Sequence, residues 1–399
     1  MCKIKYLFTA LILACMVSAS AAQIAVKADT IYTMNDAKII NGIILMDNGK
    51  IEAVGQADKI DIPNGYDTYE AAVVTPGLID AHTVVGLSGI YNQEFDQDQL
   101  ETSSPIQPQL RARDSYNARE QLVKFLMNKG ITTMHTGHGP GAIISGQSMI
   151  VKTAYRTVGE AMIDGSTMLA MTIGPGVSRN FKSPGTVAKE VAMLRQALIK
   201  AQEYMKKEEP ELSLKTELLA DLLSGDIKAI VTAQRAQDIM TALRLKEEFG
   251  FEMVLAGAAE AYLVLDEIKK AGVPVIIHPT MKRPFGATKN VSFATAGKVE
   301  DAGILMAFSS GYEGYVPKTR VILYEAAIAV ANGLDRKAAL RALTVNAAKI
   351  LGIAERVGSI EEGKDADLVL YSGDPFEYTS HVSGVIIDGE VVKDGVKYL

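Results

Sequence analysis

The chain has 399 residues, 22 % of them charged and 48 % apolar, with 41 Lys and Arg against 47 Asp and Glu for a formal charge of −6. That composition is globular and excludes a disordered, collagen-like or low-complexity chain. Its mild acidity offers nothing to a nucleic-acid backbone, which selects a basic face, so no nucleic-acid partner is expected.

Residues 1–22 read as an export signal. Lys3 and Lys5 precede an almost unbroken apolar run from Tyr6 to Val17, and Ala19-Ser20-Ala21 supplies the small residues of a cleavage site. The expected product is periplasmic or secreted, begins near Ala22 and carries no transmembrane segment, since no later stretch is apolar for long enough. Ile12-Leu13-Ala14-Cys15 is a competing lipoprotein site that would anchor the protein through Cys15. Cys2 and Cys15 both fall within this segment, so cleavage beyond it leaves no thiol for a disulfide, a metal or a nucleophile.

From residue 24 to 74 the pattern is one of short strands. The segment at 42–55 alternates apolar residues on either side of Asn48-Gly49, a hairpin signal, and the segment at 382–395 repeats that style around Asp388-Gly389. Hairpins at opposite ends of a chain can share one small β domain. Between them, strand-like runs alternate with helices. The runs lie at 73–82, 130–137, 169–174, 226–233, 252–258, 273–279 and 304–310. The helices at 236–250 and 259–272 stop at Gly250 and Gly272, and a third at 336–352 closes the series. This alternation predicts a parallel sheet with helical crossovers, of the length a (β/α)8 barrel needs, with an open doubly wound sheet as the rival. No glycine-rich phosphate turn follows an early strand, which weakens a dinucleotide-binding version of the latter. The long polar segment at 92–114 reads as a loop over the barrel mouth, its Asp96 and Asp98 either a cation site or a solvated acidic stretch. "ISGQSMIVK" at 144–152 reads as a second loop lining the site.

Three segments carry a family resemblance. "VVTPGLIDAH" (73–82) resembles the first barrel strand of the amidohydrolase superfamily, which reads P-G-L-I-D-x-H-x-H. "LTVNAAKILG" (343–352) resembles its last barrel helix, and "VGSIEEGKDADLVLYSGDP" (357–375) its return to a β-sandwich. The imidazolonepropionase-like amidohydrolases are the most similar subgroup. The resemblance implies a TIM-type (β/α)8 barrel over 76–352 and a small composite β-sandwich from 23–75 and 353–399. It also implies a hydrolase acting on carbon–nitrogen bonds of a small-molecule substrate, metal-dependent, with a homo-oligomer compatible with it.

Residues two apart on a strand share a face, so two histidines spaced that way at a strand's C-terminal end can reach one metal, which then supplies hydroxide near neutral pH. Here His82 is present and its partner position is Val84. On the fifth strand Thr232 or Ala233 stands where the family has histidine, the sixth offers none, and Ser309-Ser310 stand where the eighth has aspartate. Lys152 is available for the bridging lysine that some members carboxylate. Most ligand positions are therefore replaced. Two readings follow: a barrel that has lost its metal and binds a ligand without catalysis, or a rearranged zinc site built from His82, His135 and His278, with His138 nearby and Glu313 adding a carboxylate. His381 falls in the sandwich portion and reads as structural or exposed.

Overall fold

A computed structural model of the protein describes residues 23–393 except 36–37, 92, 164–167, 279, 281–283 and 312–320. The export segment at 1–22, with Cys2 and Cys15, and the candidate carboxylate Glu313 lie outside the described residues.

The chain begins in a small sheet with β1 (Ile24–Ile31), β2 (Ile39–Asp47), β3 (Lys50–Gln56) and β4 (Asp67–Pro76). It then builds a larger sheet from β5 (Leu78–Thr83), β6 (Ile131–Gly137), β7 (Ile144–Lys152), β8 (Met168–Thr172), β9 (Lys228–Ala233), β10 (Met253–Gly257), β11 (Val275–Ile277) and β12 (Met306–Phe308). It returns to the small sheet with β13 (Leu368–Tyr371), β14 (Val382–Ile387) and β15 (Glu390–Lys393). The small sheet runs β15-β14-β13-β4-β1-β2-β3, so both ends of the sequence contribute strands. Both expected hairpin turns are present. Asn48-Gly49 and Asp388-Gly389 have positive φ at both positions, as a two-residue turn of this hand requires. The two turns also touch: a Cβ on Gly389 would lie 2.9 Å from the Gly49 Cα.

In the larger sheet every strand lies beside its sequence neighbour, from β5 to β12, which is the order of a (β/α)8-type barrel. Two details differ from the sequence expectation. The run at 73–82 is not one strand, because the chain leaves the small sheet at Pro76 and enters the barrel at Leu78. Gly77 makes the crossing, where a Cβ would meet Thr132 Oγ1 at 2.0 Å. The segment at 144–152 is not a loop. It is β7, antiparallel to both β6 and β8 in an otherwise parallel sheet. Its Ser, Gly, Gln and Lys hide the alternation, yet eight of its nine residues are buried.

The barrel strands are buried on both faces, so they read as short apolar runs. Their outer face packs on helices such as Ala236–Phe249, which buries Ile239, Leu243 and Phe249 and ends at Gly250 in the left-handed conformation, as expected. An inner layer of Ile79, Ala81, Ile150, Ala170, Ile230, Val254, Ala256, Ile276 and Ala307 fills the barrel. The closing helix is in two pieces, Arg336–Ala342 and Val345–Leu351, and the second seals the inner layer with Ala347, Ile350 and Leu351.

At the end of the barrel opposite the mouth, Lys152 is buried against three carboxylates. Its ammonium donates to Asp365 Oδ2 at 2.8 Å, to Asp367 Oδ1 at 3.2 Å and to Asp388. Lys50 and Arg356 also pair with Asp365, and the Tyr155 hydroxyl donates to Asp388 at 2.6 Å. Burial works against the charge on Lys152, but Asp367, Asp388 and Asp365 hold its pKa above the usual value. Reversal of β7 pairs Lys152 with Thr133 at the start of β6, so it stands far from any metal-bridging position at the mouth. Replacement of Lys152 by Met would leave two buried carboxylates, Asp365 and Asp367, and the part-exposed Asp388 without their shared partner. That variant is expected to lose about 3–5 kcal/mol of stability in urea denaturation.

Candidate functional site at the barrel mouth

The C-terminal ends of the parallel strands gather polar side chains above the apolar layer. His82 comes from β5, His135 from β6, Thr172 and Thr232 end β8 and β9, His278 follows β11, and Ser309-Ser310 follow β12. The reversed β7 brings Ser148 to the same end, paired with Gly137. His82 and His135 lie side by side, and His278 is close enough to act on His82 electrostatically. The His82 and His135 rings are 5.6 Å apart at 30°. His82 is held neutral far below the usual histidine range, first by burial and then by the neighbouring charges of His135 and His278.

Geometry shows what each ring does. His135 Nδ1 lies 2.9 Å from the Ala81 carbonyl and Nε2 lies 2.6 Å from Ser148 Oγ. The carbonyl can only accept, so Nδ1 carries the proton and Nε2 receives the serine hydroxyl. Burial lowers the His135 pKa to about 4. His278 Nδ1 donates to the Ser309 carbonyl at 3.2 Å. Its other edge rests on Gly311, where a Cβ would fall 2.2 Å from Nε2. His138 is also buried, but it packs against Gly146 and is influenced by Asp98 and the Gln99 carbonyl, within the long loop over the mouth. His381 is exposed at the start of β14. Asp96 accepts backbone N–H groups from Tyr91 and Gln93 at 2.8 and 2.7 Å, a role internal to its own turn.

Asp80 has a function the sequence left unassigned. It is fully buried and receives the Ser310 N–H at 3.0 Å, the Ser310 hydroxyl and the His82 N–H at 3.3 Å. Burial pushes its pKa up to about 7, in spite of these donors. Beside this cluster opens a cleft of about 300 Å³, lined among others by Thr172, Thr232, Gln234, Arg179, Asn180 and Phe285. Its wall at Gly174 is fixed from behind by Glu190, which accepts the Gly174 N–H at 3.0 Å, and by Asp238, locked by Arg235 at 2.6 and 2.7 Å. Arg179, Asn180 and Gln234 escaped the sequence reading. The only available signal was the glycine- and proline-rich turn at 173–176 after a strand.

The amidohydrolase family model matches residues 289–392. A solved amidohydrolase from Thermotoga maritima MSB8 superimposes with a TM-score of 0.87 at 31 % identity, covering 93 % of this chain and 100 % of that one. The chain belongs to the amidohydrolase family. Imidazolonepropionase of Symbiobacterium thermophilum is 23 % identical over 91 % of each chain. Amidohydrolase tasK of Hapsidospora irregularis is 24 % identical, and the chain spans 39 % of its length. Within the family it is imidazolonepropionase-like.

Amidohydrolases generally require a divalent metal, and the residues at this mouth do not fit one. Among the described residues no three His, Cys, Asp or Glu side chains approach a common point. Both His135 nitrogens are engaged, Asp80 is committed to Ser310, and Thr172, Thr232, Gly257 and Ser310 occupy the ends of the fourth, fifth, sixth and eighth barrel strands. Hydroxyls and a bare backbone do not replace imidazole and carboxylate around zinc. A His135→Gln variant is expected to lose about 1–3 kcal/mol near neutral pH. The unfolded ring takes a proton near 6.5 and the folded ring only near 4, so wild-type stability falls relative to the variant as pH drops between those values. Urea midpoints of the two proteins should converge between about pH 7 and about pH 4.5. A gap independent of pH would contradict the neutral, doubly bonded ring.

Proposed function

We propose that the protein acts on a carbon–nitrogen bond of a small molecule, a cyclic or linear amide, bound at the barrel mouth. One observation carries this reading. Thr172 and Thr232 belong both to the polar end of the barrel and to the lining of the adjoining cleft, so a ligand in the cleft reaches the strand ends where this family does its chemistry. For proton movement the chain offers a carboxyl at Asp80 that titrates near 7 and a neutral imidazole at His82, two groups driven apart by their surroundings. In this reading the sheet built from both chain ends is the family's β-sandwich, divided from the barrel near residues 76 and 352. The Lys-flanked apolar run before Ala22 supports export.

A second reading, a non-catalytic small-molecule binder, is favoured by the hydroxyl residues at 232 and 310, where the family resemblance places metal donors. A panel of lactams, cyclic imides, N-acyl amino acids and dipeptides, followed by product release and by thermal shift, separates the two. Turnover that disappears in Asp80→Asn and in the cleft-filling Thr232→Tyr, both still folded, is the result expected of a hydrolase. Saturable stabilisation without turnover, abolished by Thr232→Tyr alone, establishes the binder. Neither turnover nor binding across the panel overturns both.

A further inference from the structure

We infer that His135, His278 and Asp80, with Ser148, Ser309 and Ser310, form a hydrogen-bonded belt that closes the barrel mouth without a metal ion. The inference concerns how the mouth is held together and stands whether or not a substrate is turned over.

The belt can be followed strand by strand. From β11 to the residues after β12, His278 Nδ1 donates to the Ser309 carbonyl. From there to β5, both oxygens of Asp80 take bonds from Ser310, one from its N–H and one from its hydroxyl. The Thr83 hydroxyl lies 3.1 Å from the same Ser310 oxygen, and the Gly311 N–H donates to the His82 carbonyl at 3.1 Å. From β5 through β6 to β7, His135 spans the Ala81 carbonyl on one side and Ser148 on the other. Five consecutive strands around the barrel are thus joined by side chains at one level.

The join matters most between β12 and β5. Every other neighbouring pair in the barrel shares a ladder, whereas among the described residues these two share one bridge, Thr83 to Gly311. Side chains do the work of the missing ladder. A bound metal would need the atoms that this work consumes. Coordination by His135 would break its bond to Ala81 or to Ser148. Coordination through His278 Nε2 would require the ring to leave Gly311, against which that edge rests. Asp80 could serve a metal only by releasing Ser310. Buried polar groups left without partners cost about 1–3 kcal/mol each, so the closed belt and an occupied metal site compete.

Gly311 is the position that commits His278. It has φ of 74° and no space for a side chain, so Gly311→Ala is expected to displace the ring. Metal content and melting temperature test the inference together. Protein expressed with added Zn, Mn, Fe and Ni salts is expected to purify with well under one equivalent of any of them. Its Tm should be unchanged by EDTA or by added zinc. Ser310→Ala, His135→Ala and Gly311→Ala should each lower Tm by a few degrees in EDTA, and zinc should not restore it. Near-stoichiometric metal in the wild type, lost in the His82→Ala, His278→Ala double variant, would overturn the inference. So would a wild-type Tm that falls in EDTA. A Ser310→Ala variant as stable as the wild type would remove the belt's closing role. Because metal content and the EDTA response are read on the wild type, the test does not depend on any variant folding.

Discussion

Lys152 ends the one reversed barrel strand with its ammonium among Asp365, Asp367 and Asp388, and Lys50 and Arg356 complete the charge balance on Asp365. These residues come from the start of the small sheet, the barrel, the return segment and the final hairpin, so one buried centre fixes the register of both sheets. Asp365 shows the balance of forces: burial would raise its pKa, yet Lys152 and then Lys50 and Arg356 hold it at about 2. Asp367, with less compensation, is pushed by burial to about 6. Such a centre is costly to desolvate and still more costly to leave half made, which ties the position of the small sheet to that of the barrel.

That tie separates two ends of the barrel with different tasks. At the closed end, a buried ammonium is matched by the carboxylates of Asp365, Asp367 and the part-exposed Asp388. At the mouth, burial lowers His82 and His135 and raises Asp80, favouring the neutral form of each. An amidohydrolase fold with a neutral mouth differs from one organised around a cation. Its geometry is held by directional bonds between strands.

Much of the fold was legible because its signals are local. The turns at Asn48-Gly49 and Asp388-Gly389, the helix stop at Gly250 and the runs that became β8 to β12 follow from a few adjacent residues. The gathering of His82, His135 and His278 was legible too, because strand order around a barrel brings the first, second and seventh strands together. What could not be read depends on distant partners. The break at Gly77 is set by Thr132 across the junction, and β7 is made a strand by two neighbours that bury its polar residues. Lys152 meets partners 213 to 236 positions away, which no spacing rule reveals. The same is true of the bond from Ser310 to Asp80, which turned a motif aspartate into a seam residue.

The reversal of β7 has a consequence for the order in which the chain acquires structure. A parallel neighbour needs a long crossover, but β6 and β7 are joined by the short segment at 138–143. Their pairing is a contact of low sequence separation, available as soon as residue 152 has been made. The salt-bridge partners of the lysine at its end arrive only with residues 365 to 388. A nascent chain therefore holds an early hairpin with an unmatched ammonium at its open end until residues 365 to 388 are made. Local pairing is available early, whereas the closure on Asp365, Asp367 and Asp388 is a contact of high sequence separation, the kind that slows folding in general.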